Sequence, residues 1–300
     1  MASSNPAFNN PAFRDERAVR SYPGGARAAS LVPPPASQSA DLAAHAQLEG
    51  ALAGPPAGAI ETGRMTVEDT VHKTLALFGV LVVGAVAGWM WTMAGVTAAN
   101  PRPSIAPMLI GALVGFVLSM VVIFTSRKKI RPALIFAYAA FEGLFVGGIS
   151  AFFEFLYPGI VVQATLATLA VVGVTLALFA SGKVRASKRA TKVFMIAMVG
   201  YLVFSLLNVG LMLFNVPLAG GAFGLRSMEI AGIPLGLIIG VLVVIMAAYS
   251  LVLDFDSIQQ GVRNGAPRQY GWLGGFGIMV TVVWLYLEIL RILAILRGNN

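Results

Sequence analysis

Seven long runs of apolar residues dominate the pattern of this chain, each close to the length that spans a bilayer. A transmembrane α-helix needs about 20 predominantly apolar residues, and polar or Gly/Pro-containing breaks separate these runs. The pattern therefore predicts an all-α polytopic membrane protein with seven transmembrane helices. The predicted spans are residues 74–96, 105–125, 133–156, 161–180, 193–214, 234–255 and 271–296.

Residues 1–63 show a different pattern, rich in Pro, Ala, Ser and Gly with few large apolar side chains. Such a segment cannot bury enough surface to offset its conformational entropy, so we predict a disordered tail before a membrane domain of residues 64–300. The tail repeats the tetrapeptide Asn-Pro-Ala-Phe at residues 5–8 and 10–13, either as a docking motif or through low complexity. A capping-box pattern over residues 66–69 predicts where the first helix begins.

Composition supports the membrane class. The chain is 57% hydrophobic and 11% charged, whereas charged residues make up about 25% of an ordinary soluble domain. The chain has no cysteine, which excludes disulfides, thiolate metal sites and thiol catalysis. Its formal charge of +8 sits in short clusters between the apolar runs, a pattern that indicates membrane topology and predicts no nucleic-acid partner.

Basic residues alternate between the loops and set an orientation. The loops after the second, fourth and sixth spans are basic, whereas the alternate loops hold Arg102, no charge, and Arg226 with Glu229. By the positive-inside rule the tail and the basic loops are cytoplasmic, and the C-terminus lies outside the plasma or inner membrane. The basic loop residues are Arg127, Lys128, Lys129 and Arg131; Lys183, Arg185, Lys188, Arg189 and Lys192; and Arg263 and Arg268.

Acidic residues inside the spans are the main candidates for function, because a carboxylate in a bilayer must find water, a cation or a proton. Glu142 lies about ten residues, or ~15 Å, from the cytoplasmic end of the third span, near mid-bilayer. It is either a protonated acid hydrogen-bonded between helices or part of a transport path. Gly143 and Gly147 beside it have the spacing of a close helix contact. Glu154 is expected to reach water near the outer end.

Asp254 and Asp256 end the sixth span. Two residues apart on a helix, they point about 200° from each other, so they do not form a clamped pair. We expect Asp254 to face the helix bundle and Asp256 the interface; alternatively, both acids end the helix in headgroup water. Glu288 in the seventh span has Arg291 at i+3, so a structural ion pair competes with a role in ion passage.

Enzyme motifs are missing from the sequence. It contains no HExxH, GxSxG or P-loop pattern, and its two histidines, His45 and His72, lie in the tail and just before the first predicted span. We therefore predict no catalytic residue, no cofactor and no resident metal site. Several acids in a membrane are better suited to a pathway for protons or hard cations than to hydrolysis.

Four motifs in order resemble the Bax inhibitor (transmembrane Bax inhibitor motif) family, in particular a bacterial branch with a long N-terminal tail. The resemblance covers about residues 65–298. The motifs are Glu142-Gly143-Leu144-Phe145-Val146-Gly147, Leu253-Asp254-Phe255-Asp256-Ser257-Ile258, Leu285-Tyr286-Leu287-Glu288 and Leu290-Arg291-Ile292-Leu293.

The resemblance implies a fold whose last helix is central between two groups of three helices. It also implies a pH-sensitive calcium leak, in which an aspartate of helix six shares protons with an aspartate of helix seven. Asp254 matches the helix-six position. The helix-seven position falls on Glu288 by motif, or on Val280 or Thr281 by spacing. The helix-two arginine of some relatives has no counterpart here.

The leading functional hypothesis is a pH-modulated leak for Ca²⁺ or H⁺, with Asp254, Glu288 and Glu142 as pathway or sensor acids and with Asp256 and Arg291 as secondary residues. The alternative is a non-conducting scaffold, or a regulator of a membrane protease or stress-response complex, with membrane proteins as partners. In either case the lipid bilayer is the surrounding partner.

The orientation is directly testable. We expect a reporter fused after Asn300 to be active only outside the cytoplasm, because seven spans place the two termini on opposite sides. A reporter fused before Met1 should show the opposite activity. A C-terminal reporter that is active in the cytoplasm would overturn the assignment.

Overall fold

Seven helices, each long and apolar enough to cross a membrane, form the described chain. The computed structural model describes residues 63–98, 102–214 and 224–298. The prediction of seven spans is confirmed. The predicted tail, apart from Gly63, and its repeat lie outside the described residues. The helices are α1 Val67–Met93, α2 Ala106–Ser126, α3 Pro132–Leu156, α4 Ile160–Ala180, α5 Lys188–Leu213, α6 Leu235–Arg263 and α7 Tyr270–Gly298.

Several helices run beyond the predicted apolar segments because their ends carry polar residues. α1 begins seven residues before the predicted span, and its N-cap Thr66 accepts a 3.1 Å hydrogen bond from Asp69 N, as the capping-box pattern predicts. α5 begins after Ser187, whose hydroxyl accepts a hydrogen bond from Ala190 N. α6 continues eight residues past its predicted end at residue 255. A polar cap therefore sets a helix start more sharply than hydropathy does.

Glycines allow α3 to lie very close to α1 and α2. A side chain added at Gly143 or Gly147 would meet the backbone of α1 near Ala85. On α2, one added at Gly111 would lie 2.8 Å from Phe145 Cα. Backbones this close maximise dispersion contacts, which drive helix association where lipid removes the hydrophobic effect. The predicted close contact at Gly143 and Gly147 is therefore present, and α1, α2 and α3 form one packed group.

α7 is the central helix of the bundle. It packs against α6, α1, α4 and α3. Its apolar segment has the largest share of buried residues among the seven spans. The position implied by the resemblance therefore agrees with the fold. α5 is the opposite case: only Phe194 and Asn208 are buried, and its apolar surface is exposed to the bilayer.

A short folded segment connects α5 to α6. It contains the 3₁₀ turn Gly224–Ser227 and an antiparallel hairpin of β1 Glu229–Ile230 with β2 Ile233–Pro234. The buried Asn208 side chain of α5 accepts a 2.8 Å hydrogen bond from Leu225 N, which holds the turn against the helix. As a result Arg226 points into the protein instead of into solvent.

The N-terminal end of α1 is tied to the loop between α6 and α7. Met65 N donates to Ala266 O at 2.7 Å, and Asp69 pairs with both Lys73 and Arg268. Lys73 Nζ also donates to the main-chain oxygen of Arg268 at 2.6 Å. The Asp69 carboxylate raises the pKa of Arg268, so this guanidinium is a permanent positive charge. The segment that leads out of the tail is thereby fixed beside the ends of α6 and α7.

The glycine contacts yield a stability prediction. Gly147→Ala places a methyl group against the Ala85 backbone, and we expect it to lower the free energy of unfolding by about 1–3 kcal/mol, as overpacking does. Gly173→Ala on α4 is the matched control, because no atom lies within 4 Å of its added Cβ. Chemical denaturation in detergent micelles measures both. Equal effects of the two substitutions would contradict the close packing of α1 and α3.

Candidate functional site

The candidate site is centred on Asp254, a carboxylate with no exposed surface in the interior of α6. Thr281 of α7 donates a 2.6 Å hydrogen bond from Oγ1 to Asp254 Oδ2. Ser250 Oγ, one turn before Asp254, lies 3.5 Å from Thr281 Oγ1. Since the Thr281 proton is directed at the carboxylate, Ser250 is the donor in that second contact. The two hydroxyls and the acid form a polar string across the contact between α6 and α7.

This contact identifies the α7 residue that faces Asp254. The sequence left Glu288, Val280 and Thr281 as alternatives, and Thr281 holds the position. Glu288 lies seven residues further along α7, about 10.5 Å or two turns away. Its side chain faces Gly240, fourteen residues before Asp254 on α6. The structure therefore does not bring the Asp254 and Glu288 carboxylates together.

Glu142 lies at a similar depth to Asp254 but faces another part of the bundle. It is ten residues, or about 15 Å, from the start of α3, and Asp254 is nine residues, or about 13.5 Å, from the end of α6. Glu142 is half-buried, accepts a hydrogen bond from Tyr138, and would lie 3.2 Å from a Cβ at Gly115 of α2. It is thus an acid between α3 and α2.

Asp256 occupies a different environment from Asp254, as the 200° separation predicts. It is partly buried and accepts a 2.8 Å hydrogen bond from Gln260 Nε2 on the next turn of α6. Asp254 faces α7 and accepts a hydrogen bond from Thr281 there, whereas the hydrogen bond of Asp256 comes from Gln260 of its own helix. The two neighbouring acids therefore share no site.

Glu288 belongs to a second group of side chains, the polar cluster, formed by Tyr201, Ser205, Arg226, Glu288 and Arg291. Glu288 pairs with Arg291 and accepts a 2.9 Å hydrogen bond from Tyr201 Oη. Tyr201 in turn accepts from Arg291 Nη2 at 3.0 Å and from Arg226 Nη2 at 3.4 Å. Arg226 also donates to Ser205 Oγ at 2.9 Å. The i+3 ion pair suggested by the sequence is present within α7, and the Tyr201 hydroxyl connects it to α5.

Glu154 has a role that differs from the expected contact with water. Its two carboxylate oxygens accept hydrogen bonds from Gly159 N at 2.6 Å and Val161 N at 3.1 Å. These amides lie at the start of α4, where the first N–H groups lack helical partners and the helix dipole favours an anion. Glu154 therefore caps α4, and the expectation that it only reaches solvent is wrong.

Sequence reasoning missed Arg226, Tyr201 and the donor role of Thr281. Arg226 stood in a predicted loop beside an acid, Tyr201 in an apolar run, and Thr281 in a run of β-branched residues. For Thr281 the signal was its spacing in the family pattern. Neither of the other two residues had a neighbouring motif that predicted burial.

The oxygen supply at Asp254 limits what the site can hold. Among the described residues, no group of three or more His, Asp or Glu side chains could hold a metal ion. Ca²⁺ prefers six to eight oxygen ligands, so one carboxylate with two hydroxyls would bind it only weakly and with the help of water or backbone.

The fold defines a polytopic membrane protein of seven helices, with the last helix at the centre. The chain belongs to the family described as Bax inhibitor 1 like, which it matches over residues 5–298. The match extends into the predicted tail and includes all seven helices. No curated protein and no solved structure matches the chain.

The contact between α6 and α7 can be tested through its donor. Thr281→Val removes the hydroxyl and leaves a buried carboxylate oxygen without this partner, so we expect a loss of about 1–3 kcal/mol in the free energy of unfolding. Thr281→Ser should restore most of it. Thr168→Val is the matched control, because the buried Thr168 hydroxyl only donates to Ala164 O in its own helix. Equal stability of the two valine variants would contradict the contact.

Proposed function

We propose that this protein is a slow leak pathway for Ca²⁺ or H⁺ in the plasma or inner membrane, with Asp254 as the acid that controls passage. The observation that carries the proposal is the complete burial of this carboxylate in a membrane-spanning helix, at a contact with the central helix α7. Acids at such positions are costly and are found where ions or protons move. Membership of the Bax inhibitor 1 like family supports the same function.

The polar string formed by Asp254, Thr281 and Ser250 supports slow passage of an ion. A proton can exchange among the Asp254 carboxylate and the hydroxyls of Thr281 and Ser250, and a cation can replace part of its hydration with the same oxygens. The surrounding residues Leu251, Val252 and Leu253 are buried and apolar. A short polar contact inside an apolar wall permits occasional passage but opposes a continuous water-filled pore.

The expected pH response depends on Asp254. This carboxylate accepts a hydrogen bond from Thr281, the residue that faces it on α7. We therefore propose Asp254 as the acid of the sensor. Glu142 and Glu288 stay predictions as pathway acids, and the ion pair with Arg291 makes Glu288 the weaker candidate.

Liposomes loaded with a Ca²⁺ indicator test the leak. We expect Ca²⁺ entry through the full-length protein to fall as the pH is lowered, because a protonated carboxyl group no longer attracts a cation. Asp254→Asn should remove most of the pH dependence. A voltage-clamped assay with a pH dye detects H⁺ as the permeant ion.

Asp256→Asn is the matched control, since it removes an acid two residues away that is bonded along its own helix. It should retain the pH response of the unmodified protein. No flux of either ion through correctly folded protein would overturn the leak and favour the alternative of a non-conducting scaffold. A normal pH response in Asp254→Asn would overturn only the assignment of the sensor.

A further inference from the structure

The polar cluster holds more positive than negative charge. Arg226 and Arg291 supply two guanidinium groups, and Glu288 supplies one carboxylate. The nearest acid in sequence, Glu229, is exposed and forms none of the ion pairs among the described residues. Residues 215–223, between α5 and the 3₁₀ turn, contain no charged side chain. The sequence around the cluster therefore offers no second acid to balance it.

Arg226 is the less satisfied of the two cations. Its side chain donates to Ser205 and Tyr201 through Nη2, and its residue surface is only 8% exposed. Among the described residues, its buried Nε has no hydrogen-bond acceptor, and the same is true of Arg291 Nε. Two guanidinium N–H groups without acceptors among the described residues therefore lie in one cluster around the Tyr201 hydroxyl.

Aromatic contacts offset part of this charge. The Arg226 guanidinium lies 5.5 Å from the ring centre of Phe204 and 5.6 Å from that of Tyr201. A ring face attracts a cation, but it accepts no hydrogen bond from Nε. Removing a guanidinium from water is strongly unfavourable unless an anion with good geometry compensates for it. The cluster thus retains both the charge and the donors for one more anion.

The cluster lies toward one end of α7. Arg291 lies seven residues, or about 10 Å, before the end of α7, whose length of about 44 Å exceeds the ~30 Å hydrocarbon layer. The cluster is therefore near the headgroup level of one leaflet. The Arg291 side chain is 20% exposed, and α5, on the other side of the cluster, is the least buried span.

We propose that Arg226 and Arg291 form a binding site for a phosphate-type oxyanion, supplied either by a phospholipid headgroup or by free phosphate. Each free Nε can donate one charge-assisted hydrogen bond to a phosphate oxygen, so the two arginines together offer two such bonds. The bound oxyanion accepts hydrogen bonds from both guanidinium groups and offsets the excess positive charge of the cluster. This site is separate from the leak proposed at Asp254.

Binding is measured on the full-length protein purified without phosphate. In one arm, inorganic phosphate is added in detergent, and the thermal midpoint is compared with that in chloride of equal ionic strength. In the other arm, native mass spectrometry compares retention of a phospholipid with that of a glycolipid of the same chains that lacks phosphate. We expect selective stabilisation or selective retention, because the guanidinium groups require the oxyanion.

Arg226→Gln should weaken the apparent phosphate affinity about tenfold, the effect of losing charge-assisted hydrogen bonds, and Arg226→Lys should recover part of it. Arg297→Gln is the matched control, since Arg297 lies at the same end of α7 but donates to Pro158 O and Gln163. It should bind as the unmodified protein does.

The two arms identify the source of the anion. Retention of phospholipid that free phosphate reverses assigns a headgroup, whereas stabilisation by phosphate without lipid selectivity assigns the free anion. No selectivity in either arm overturns the site, and this result needs only the unmodified protein. Equal losses in Arg226→Gln and Arg297→Gln overturn it as well. The Asp254→Asn flux assay changes neither Arg226 nor Arg291, so it tests the proposed leak separately from this site.

Discussion

A polar group in hydrocarbon must find its partner inside the protein, and the arrangement of this bundle follows that constraint. Each acid within the spans meets a different partner. Asp254 accepts from Thr281, Glu142 from Tyr138, Glu154 from the first amides of α4, and Glu288 from Tyr201. The bonds of Asp254 and Glu288 tie neighbouring helices to α7, whereas those of Glu142 and Glu154 lie on or beside α3. The acids thus help to determine how the helices are assembled, in addition to any role in ion passage.

The two sides of the bundle are stabilised by different interactions, close backbone packing on one side and polar side-chain contacts on the other. α1, α2 and α3 are held by glycine-mediated contact of their backbones, which requires no side-chain hydrogen bond. α5 has almost no buried apolar surface, and polar side chains such as Tyr201 and Asn208 attach it. Dispersion between close backbones is present in every state of the side chains, whereas polar contacts depend on charge and protonation. The α5 side is therefore the part of the bundle most sensitive to its ionic surroundings.

The number and type of the helices were predictable because the length and apolarity of each run depend only on local sequence. The burial of Asp254 was predictable from an acid in an apolar run. Its partner on α7 was not, because three residues remained as alternatives. Facing residues on two membrane helices depend on rotation and axial register, and hydropathy does not encode these where all faces are apolar. Motif identity favoured Glu288, whereas spacing favoured Val280 or Thr281, and the register of α6 against α7 brings Thr281 to Asp254. The buried Arg226 could not be found, since a turn held by Asn208 turns a loop residue inward.

In the proposed leak, the charges that lie on or beside α7 have opposite effects on a cation. Asp254 attracts it at one level of the bundle, while the excess positive charge of Arg226 and Arg291 repels it about 10 Å or more further along. In a low-dielectric wall such repulsion is a barrier to entry from that end, which is consistent with slow passage. An oxyanion bound between Arg226 and Arg291 would neutralise the excess charge and lower this barrier. The two proposals therefore concern different residues but are linked by electrostatics. An anion bound at the polar cluster would affect how readily a cation reaches Asp254.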